Sequence, residues 1–291
     1  MRYTIKNEFL ALTVDTNGGA MWSIVDLEDN EELLFDGDAS IWDRHDAVLF
    51  PFVGRQRDNY YEINGARYDT QIHGLAPYQQ YEVKEQTENS ITLGFSSNAE
   101  TKKEYPFDYD FAVKYTLKDK SVTVKYIIKN NDEKEMFFYV GGHPALKVDG
   151  ADGNENDTSG NYLDFHTDDN STYMLCNNFI VPPEKIDGVV EIKKDVFKKY
   201  PSLVLDRKSD ETTLIRRNGK KVRVISSSSI ICVWADESRG AFVAVECWWG
   251  LPDYWQETQR ELSQKALINS LKSKTTGEYE YKLEFINKQE K

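Results

Sequence analysis

The feature that most constrains the fold is a series of short runs in which apolar and polar side chains alternate. Such alternation places the apolar side chains on one face of a β-strand. Asn64-Gly65 and Asn218-Gly219 each lie between two such runs, and an Asn-Gly pair in this setting predicts a tight hairpin because both turn residues need a positive φ. Residues 111–117 and 121–127 predict a third hairpin around a short polar turn.

Helical periodicity is rare in the chain. Residues 257–271 are the best helix candidate, and residues 191–200 could add a turn or two. Residues 149–161 are rich in Gly, Asp and Asn and predict a solvated loop, after which the strand pattern resumes and continues to a closing strand at 278–285. We therefore expect an all-β fold, a large antiparallel β-sandwich in which residues 1–291 form one domain.

The composition argues against some classes of binding partner and indicates a cellular compartment. The formal net charge of -13 disfavours nucleic acid or an anionic membrane surface as a partner. No stretch approaches the roughly 20 apolar residues of a membrane span, and the N-terminal residues lack an apolar signal core, so we expect a cytoplasmic protein. Cys176, Cys232 and Cys247 are scattered without a CxxC pair, which favours reduced thiols over a disulfide framework or a zinc site.

Three separated residues carry the candidate chemistry: His73, His143 and Glu246. Two imidazoles and one carboxylate suffice for proton transfer in both directions near neutral pH. His73 precedes Gly74, so the backbone is expected to turn there and aim the imidazole from a sheet end into a cleft. A hydrogen-bonded core histidine is an equally good interpretation of His73 from this context alone.

The contexts of His143 and Glu246 favour function more clearly. His143 follows a buried-looking strand and Gly141-Gly142 and precedes Pro144, and a titratable group at such a strand end is costly unless it is used or paired. Glu246 ends the apolar run 241–245, where a carboxylate is rarely buried without a partner. The alternative for Glu246 is a structural ion pair with an arginine.

Other polar and aromatic residues have weaker signals. Arg55 could present a forked donor to sugar hydroxyls or a phosphate, or form a salt bridge. Trp248 and its neighbour Trp249 suggest an aromatic wall for a sugar ring, although tryptophan is also a common core residue. His45 lies in a charged, exposed-looking context. His166 lies among aspartates that could suggest a metal, but a solvated strand end is more typical.

The order of these motifs resembles the aldose 1-epimerase, or galactose mutarotase, family and is most similar to its LacX-like branch. The resemblance covers nearly the whole chain. The segments that carry it are Gly18-Gly19-Ala20, Pro51-Phe52-Val53-Gly54-Arg55, Ile72-His73-Gly74-Leu75, Tyr105-Pro106-Phe107, Gly142-His143-Pro144-Ala145-Leu146 and residues 245–253.

This resemblance implies a galactose mutarotase-like supersandwich that interconverts sugar anomers without a cofactor or a metal. It implies His143 as the acid and Glu246 as the base. It also implies His73 and Arg55 as substrate-binding residues, to which the aromatic context adds Trp248. The chain departs from the branch at Cys247, where proline is usual, and has no clear match to an aspartate that binds a sugar hydroxyl in typical mutarotases.

Ring opening of a hemiacetal needs a base at the anomeric hydroxyl and an acid at the ring oxygen, and a carboxylate near His143 is expected to raise the histidine pKa. The partner is expected to be a small sugar, an aldohexose or its phosphate. A hexose 6-phosphate would need a cationic pocket, which Arg55 and Arg57 could supply.

A non-catalytic sugar-binding protein is the alternative from another class, and a glycosidase fits less well because it usually needs two carboxylates. The sequence leaves the sugar, the anomer preference and the oligomeric state open.

Overall fold

The computed structural model describes residues 1–150, 158–167, 171–176, 179–192, 196–197, 202–206, 209–235 and 242–288. Strands dominate these ranges. Those of the first half are β1 (Arg2–Lys6), β2 (Leu10–Asp15), β3 (Met21–Asp26), β4 (Glu31–Glu32), β5 (Val48–Leu49), β6 (Tyr60–Ile63), β7 (Ala66–Asp69), β8 (Glu82–Gln86), β9 (Ser90–Ser96), β10 (Tyr109–Lys118), β11 (Ser121–Asn130), β12 (Met136–Phe138), β13 (Val140–Gly142) and β14 (Ala145–Lys147).

The second half continues in the same way. Its strands are β15 (Tyr162–Asp164), β16 (Ser171–Cys176), β17 (Phe179–Lys185), β18 (Val189–Glu191), β19 (Ser202–Asp206), β20 (Glu211–Ile215), β21 (Lys221–Ser226), β22 (Ile230–Trp234), β23 (Phe242–Trp249), β24 (Asn269–Leu271) and β25 (Thr276–Ile286). Helical structure includes one α-helical turn, α1 (Thr101–Glu104), and 3₁₀ turns at Arg57–Asn59, Ala76–Tyr78 and Leu262–Gln264. No helix in the described ranges is long and apolar enough to cross a membrane.

Two large antiparallel sheets form the body of the protein. One has nine strands in the order β18-β15-β20-β21-β25-β11-β10-β9-β8, and the other has the order β17-β16-β19-β22-β23-β13-β5 with β14 also paired to β23. The sheets pack against each other through large side chains: Tyr126 of the first lies 6.5 Å from Trp249 of the second, between ring centroids. The expectation of an all-β fold built as a large antiparallel sandwich is confirmed.

The predicted hairpins form, with different turns. Asn64-Gly65 joins β6 to β7 in two residues, both with positive φ, as the sequence predicts. At the second Asn-Gly pair only Gly219 has a positive φ, because the loop is longer and closes between Arg216 and Lys220. The long hairpin of β10 and β11 turns at Asp119, whose φ is 50°.

The predicted helix at 257–271 is wrong. The segment contains only the 3₁₀ turn Leu262–Gln264 and the extended strand β24. Tertiary contacts hold it in this form: Lys265 bonds both carboxylate oxygens of Asp253 at 2.7 and 2.8 Å, and the Asn269 side chain donates to the backbone oxygens of Phe138 and Trp249. Much of the predicted loop at 149–161 and of the predicted turn at 191–200 lies outside the described residues.

Candidate active site

Glu246 lies inside β23, on the eight-stranded side of the sandwich. The strand continues to Trp249, so the prediction that the strand ends at Glu246 is wrong. Its cross-strand neighbour on β22 is Cys232, and its side chain is 1% exposed. The ladder with β22 pairs Glu246 directly, and on the other edge β23 is paired on either side of it, by β13 at Cys247 and by β14 at Ala244.

Three side chains contact the Glu246 carboxyl group and set its orientation. His143 Nε2 lies 3.2 Å from Oε1, and Trp248 Nε1 donates to Oε2 at 3.0 Å. The Cys232 thiol also donates to the group. Trp248 is two residues along the same strand and so shares the face of Glu246. Its indole therefore acts first as a hydrogen-bond donor to the carboxyl group, in addition to lining the cavity.

The break between β13 and β14 brings His143 to Glu246. β13 pairs Gly142 with Cys247, and β14 pairs Ala145 with Ala244, so His143 and Pro144 interrupt the ladder opposite Glu246. A Cβ on Gly142 would lie 2.6 Å from the Tyr126 hydroxyl, so the strand can approach the opposite sheet only with glycine there.

Contacts on the other side of His143 fix its backbone and its ring. The backbone N–H of His143 donates to the Ala47 oxygen at 3.0 Å and to Asp46 Oδ1 at 3.3 Å. Its ring stacks on Trp42, with centroids 4.8 Å apart, and meets Trp234 edge-on at 5.5 Å. The imidazole is therefore held between an aromatic pair and the Glu246 carboxyl group.

His73 turns into the same space from a loop. Its φ of 64° confirms the predicted turn, and it forms a reciprocal pair with Gly54: His73 N–H donates to the Gly54 oxygen at 2.8 Å, and Gly54 N–H donates to His73 Nδ1 at 3.1 Å. Because Nδ1 accepts this bond, the proton of the neutral ring is on Nε2. The His73 and His143 rings meet edge-on, with centroids 5.5 Å apart.

Burial controls the charges of these groups. It raises the pKa of Glu246 well above its ordinary value and lowers the pKa of His143 to about 4. Burial likewise holds the pKa of His73 well below its ordinary value, with further effects from His143, Arg44 and Arg55. The expectation that the carboxylate raises the His143 pKa is wrong, because loss of water outweighs it. Burial therefore favours the uncharged form of both Glu246 and His143.

His73, His143, Glu246 and Trp248 all line one cavity of about 240 Å³. A desolvated proton-transfer pair, a fixed neutral imidazole donor and aromatic walls meet there. This arrangement can move a proton between two nearby oxygens of a bound small molecule, because donor and acceptor are already in hydrogen-bond contact.

Comparisons with known proteins agree with the fold. The family model for aldose 1-epimerase matches residues 1–283. The chain belongs to the aldose 1-epimerase family. It is 26% identical to the chromosomal protein LacX of Lactococcus lactis subsp. lactis, over 99% of this chain and 100% of that protein.

Two solved structures of similar proteins extend this result to three dimensions. A galactose mutarotase related enzyme from Lactobacillus acidophilus superposes with a TM-score of 0.93 at 26% identity, over 100% of this chain and 99% of that one. A galactose mutarotase-like protein from Lactobacillus casei gives a TM-score of 0.91 at 25% identity, over 98% and 100%. The similarity to LacX proteins and to mutarotase-like structures confirms the resemblance seen in the sequence.

Arg55 does not join the other predicted residues of this epimerase family member. Its guanidinium donates to Asn59 Oδ1 at 2.8 Å, and it is not among the residues that line the cavity. Its charge still reaches the site, where it contributes to the lowered pKa of His73. Arg57 also lies elsewhere, 3.5 Å from Asp58 and against the ring of Trp255.

Several cavity residues of this aldose 1-epimerase homologue escaped prediction. They are Trp42, Arg44, Tyr78, Cys232 and Trp234. Trp42 and Arg44 belong to residues 42–46, where aromatic and charged residues are mixed. The charged residues there predicted a solvent-exposed segment, so a place in the cavity was not expected.

Of the remaining histidines, His45 differs from the expectation and His166 agrees with the favoured one, a solvated strand end. His45 is buried, not exposed, with its ring 4.0 Å from that of Trp22, and burial lowers its pKa. The segment turns inward there because its backbone pairs with the chain around His143. His166 is 38% exposed at the end of β15, with Nε2 3.1 Å from Glu211. Within the described ranges, no group of three His, Cys, Asp or Glu side chains is placed to hold a metal ion.

Proposed function

We propose that the protein is a mutarotase that interconverts the α and β anomers of a hexose by opening and reclosing the sugar ring. The observation that carries the proposal is the direct His143–Glu246 contact of 3.2 Å at the wall of a desolvated cavity. The anomeric hydroxyl and the ring oxygen of a pyranose are bonded to the same carbon. An acid and a base in mutual contact can therefore reach both oxygens at once.

In this mechanism Glu246 is the base and His143 the acid. Glu246 takes the proton of the anomeric hydroxyl, whose oxygen becomes the carbonyl oxygen as the bond between C1 and the ring oxygen breaks. His143 gives a proton to the departing ring oxygen. After rotation about C1–C2, the ring oxygen attacks the other face of the carbonyl, His143 takes its proton back and Glu246 returns its own. No electrons are gained or lost, and no redox cofactor takes part in the cycle.

Burial favours the uncharged forms of His143 and Glu246, and a proton shift between the two groups would charge both of them for this reaction. Glu246 must be a carboxylate and His143 an imidazolium before they act, and one proton shift from Oε1 to Nε2 produces both charges. The number of bound protons does not change. Exchange with solvent is therefore not needed between turnovers.

The surrounding residues have supporting roles. His73 donates from Nε2 to a sugar oxygen, and Trp248 keeps the Glu246 carboxyl group aimed at the cavity. Arg55 acts through its charge on His73. The proposal includes a cytoplasmic location, where the free thiols of Cys232 and Cys247 would stay reduced.

The decisive test is Glu246→Gln, measured by NMR exchange between the two anomers of several aldoses. Loss of the base is expected to slow catalysed exchange by about 10²–10⁴-fold. Glu278→Gln, which changes an exposed glutamate on β25, is the matched control and should retain activity. Sugar binding by the Glu246→Gln variant, followed by tryptophan fluorescence, separates loss of chemistry from loss of binding.

Two results would contradict the proposal. Full activity of Glu246→Gln would remove the base from the mechanism. Saturable sugar binding by the wild-type protein without any acceleration of exchange would identify a non-catalytic sugar-binding protein instead.

A further inference from the structure

Arg44 is a guanidinium in the cavity wall without a carboxylate partner among the described residues. It is partly buried, Nη1 donates to the Pro77 backbone oxygen at 3.3 Å, and the group lies 5.1 Å from the centroid of the Tyr78 ring. A second cavity of about 170 Å³ borders Arg44 on another side, with Asp15 and Asp43 in its wall, and neither forms an ion pair with it. Most of the hydrogen-bonding capacity of the fork is therefore unused.

Most guanidinium groups in the described ranges pair with a carboxylate. Acidic residues outnumber basic ones by 49 to 36, so carboxylates are plentiful. Six other described arginines have taken one, whereas Arg55 bonds the side chain of Asn59 instead. The pairs are Arg2–Asp15, Arg57–Asp58, Arg67–Asp69, Arg216–Asp149, Arg223–Glu211 and Arg260–Asp58. Removing a cation from water without a counter-charge is unfavourable, so a cavity arginine left unpaired is suited to an anionic ligand.

The position of Arg44 indicates which part of a sugar it faces. Arg44 lines the same cavity as His143 and His73, whose rings meet with centroids 5.5 Å apart, and Trp42, two residues before Arg44, stacks on the His143 ring. Under the proposed function, His143 protonates the ring oxygen. In a pyranose, the ring oxygen is bonded to C5, which carries C6. A group on C6 therefore lies beside the acid and within the region that Arg44 borders.

We propose that the preferred substrate is a hexose derivative with an anionic group on C6, and that Arg44 binds this group. Either the carboxylate of a hexuronic acid or the phosphate of a hexose 6-phosphate provides the required chemistry, since both present two oxygens to the planar fork. The inference rests on the proposed mutarotase function. It assigns to Arg44 the cationic role for which Arg55 and Arg57 were the sequence candidates.

The test compares anomer exchange of glucose, glucuronate and glucose 6-phosphate, each relative to its uncatalysed rate. For the wild-type protein, kcat/KM is expected to be about 10- to 100-fold higher for at least one anionic sugar than for glucose, the range of a charge-assisted hydrogen bond. Arg44→Gln should reduce that ratio by a similar factor. Arg44→Lys should recover part of it, because the charge remains but the fork is lost.

Arg67→Gln is the matched control, because it removes one positive charge from an exposed strand and should leave the ratio unchanged. Circular dichroism of each variant checks folding. The anionic sugar with the larger loss in Arg44→Gln identifies the carboxylate or the phosphate as the ligand. Binding of both anions to the Glu246→Gln variant, measured by calorimetry, gives the same comparison without turnover.

The outcomes separate this inference from the function on which it rests. Acceleration of glucose alone by the wild-type protein, or equal losses on all three sugars in Arg44→Gln, would overturn the role of Arg44 while the mutarotase function stands. No acceleration of any of the three sugars, with no binding of the anions, would overturn both.

Discussion

Asp46 is a buried carboxylate that ties His143, the proposed acid, to the rest of the fold. It is 4% exposed, Oδ2 accepts from the Met21 N–H at 3.1 Å, and Oδ1 accepts from the His143 N–H at 3.3 Å. A third backbone donor is the N–H of Ala47. Burial raises the pKa of Asp46 from 3.8 to about 6 despite these bonds, because loss of hydration outweighs them.

This shift predicts a specific dependence of stability on pH. The folded state holds the Asp46 proton more tightly than the unfolded chain does, so it gains stability that is fully present below pH 4 and is lost as the pH rises through about 6. The gap between about 6 and 3.8, at about 1.36 kcal/mol per pH unit, corresponds to about 3 kcal/mol. Asp46→Asn has no such proton to lose.

The assay is urea unfolding of the wild-type protein and Asp46→Asn at pH values from 4 to 8, followed by tryptophan fluorescence. Between pH 4 and pH 7, the free energy of unfolding of the wild-type protein is expected to fall by about 3 kcal/mol relative to the variant. Other titrating groups are common to both proteins and cancel in the difference. Asp43→Asn alters an exposed neighbour and should give no comparable change. A constant difference for Asp46→Asn across this range would refute the reasoning.

Two further substitutions test the packing around the site by the same unfolding assay. Gly142→Ala places a Cβ 2.6 Å from the hydroxyl of the buried Tyr126, and overpacking is expected to lower the free energy of unfolding by about 1–3 kcal/mol; wild-type stability would contradict the close approach of the two sheets. Lys265→Met removes the cation 2.7 Å from the buried Asp253 and leaves only Arg260 at 3.9 Å among the described cations, so it should cost about 3–5 kcal/mol. Lys125→Met at an exposed pair should cost under about 1 kcal/mol, and equal losses would contradict the difference in burial.

The strands were predictable because their signal is local. Alternation with period two fixes which face of a strand is buried, and Asn-Gly pairs specify turns, so β6–β7 and β10–β11 follow from nearby residues. The failed helix at 257–271 shows the limit of local signals. Its spacing of apolar residues is near-helical, but the partners that hold it extended, Asp253 through Lys265 and the backbone at Trp249 through Asn269, are set by the tertiary fold. The extent of the domain over 1–291 remains a prediction.

The site residues show the same difference between local signals and contacts that the tertiary fold sets. His143 and Glu246 have distinctive neighbours in the sequence, and each would be costly to bury without a use, so both were identifiable. Their mutual contact depends on the pairing of β13 and β14 with β23, which no local pattern specifies. Arg44 was overlooked because a charged segment usually faces solvent, and only the inward turn around His45 brings it to the cavity.

The interruption between β13 and β14 has a consequence for how such a protein can diversify. Glu246 lies in β23, a strand that is paired on both of its edges. His143 lies between β13 and β14, the two short strands that pair with one of those edges. Arg44 and Tyr78 lie outside the strands, in the segment before β5 and in a 3₁₀ turn. Under the proposed function, mutation in these segments would change the preferred sugar with little effect on His143 and Glu246, so that new substrates could arise while the chemistry stays constant.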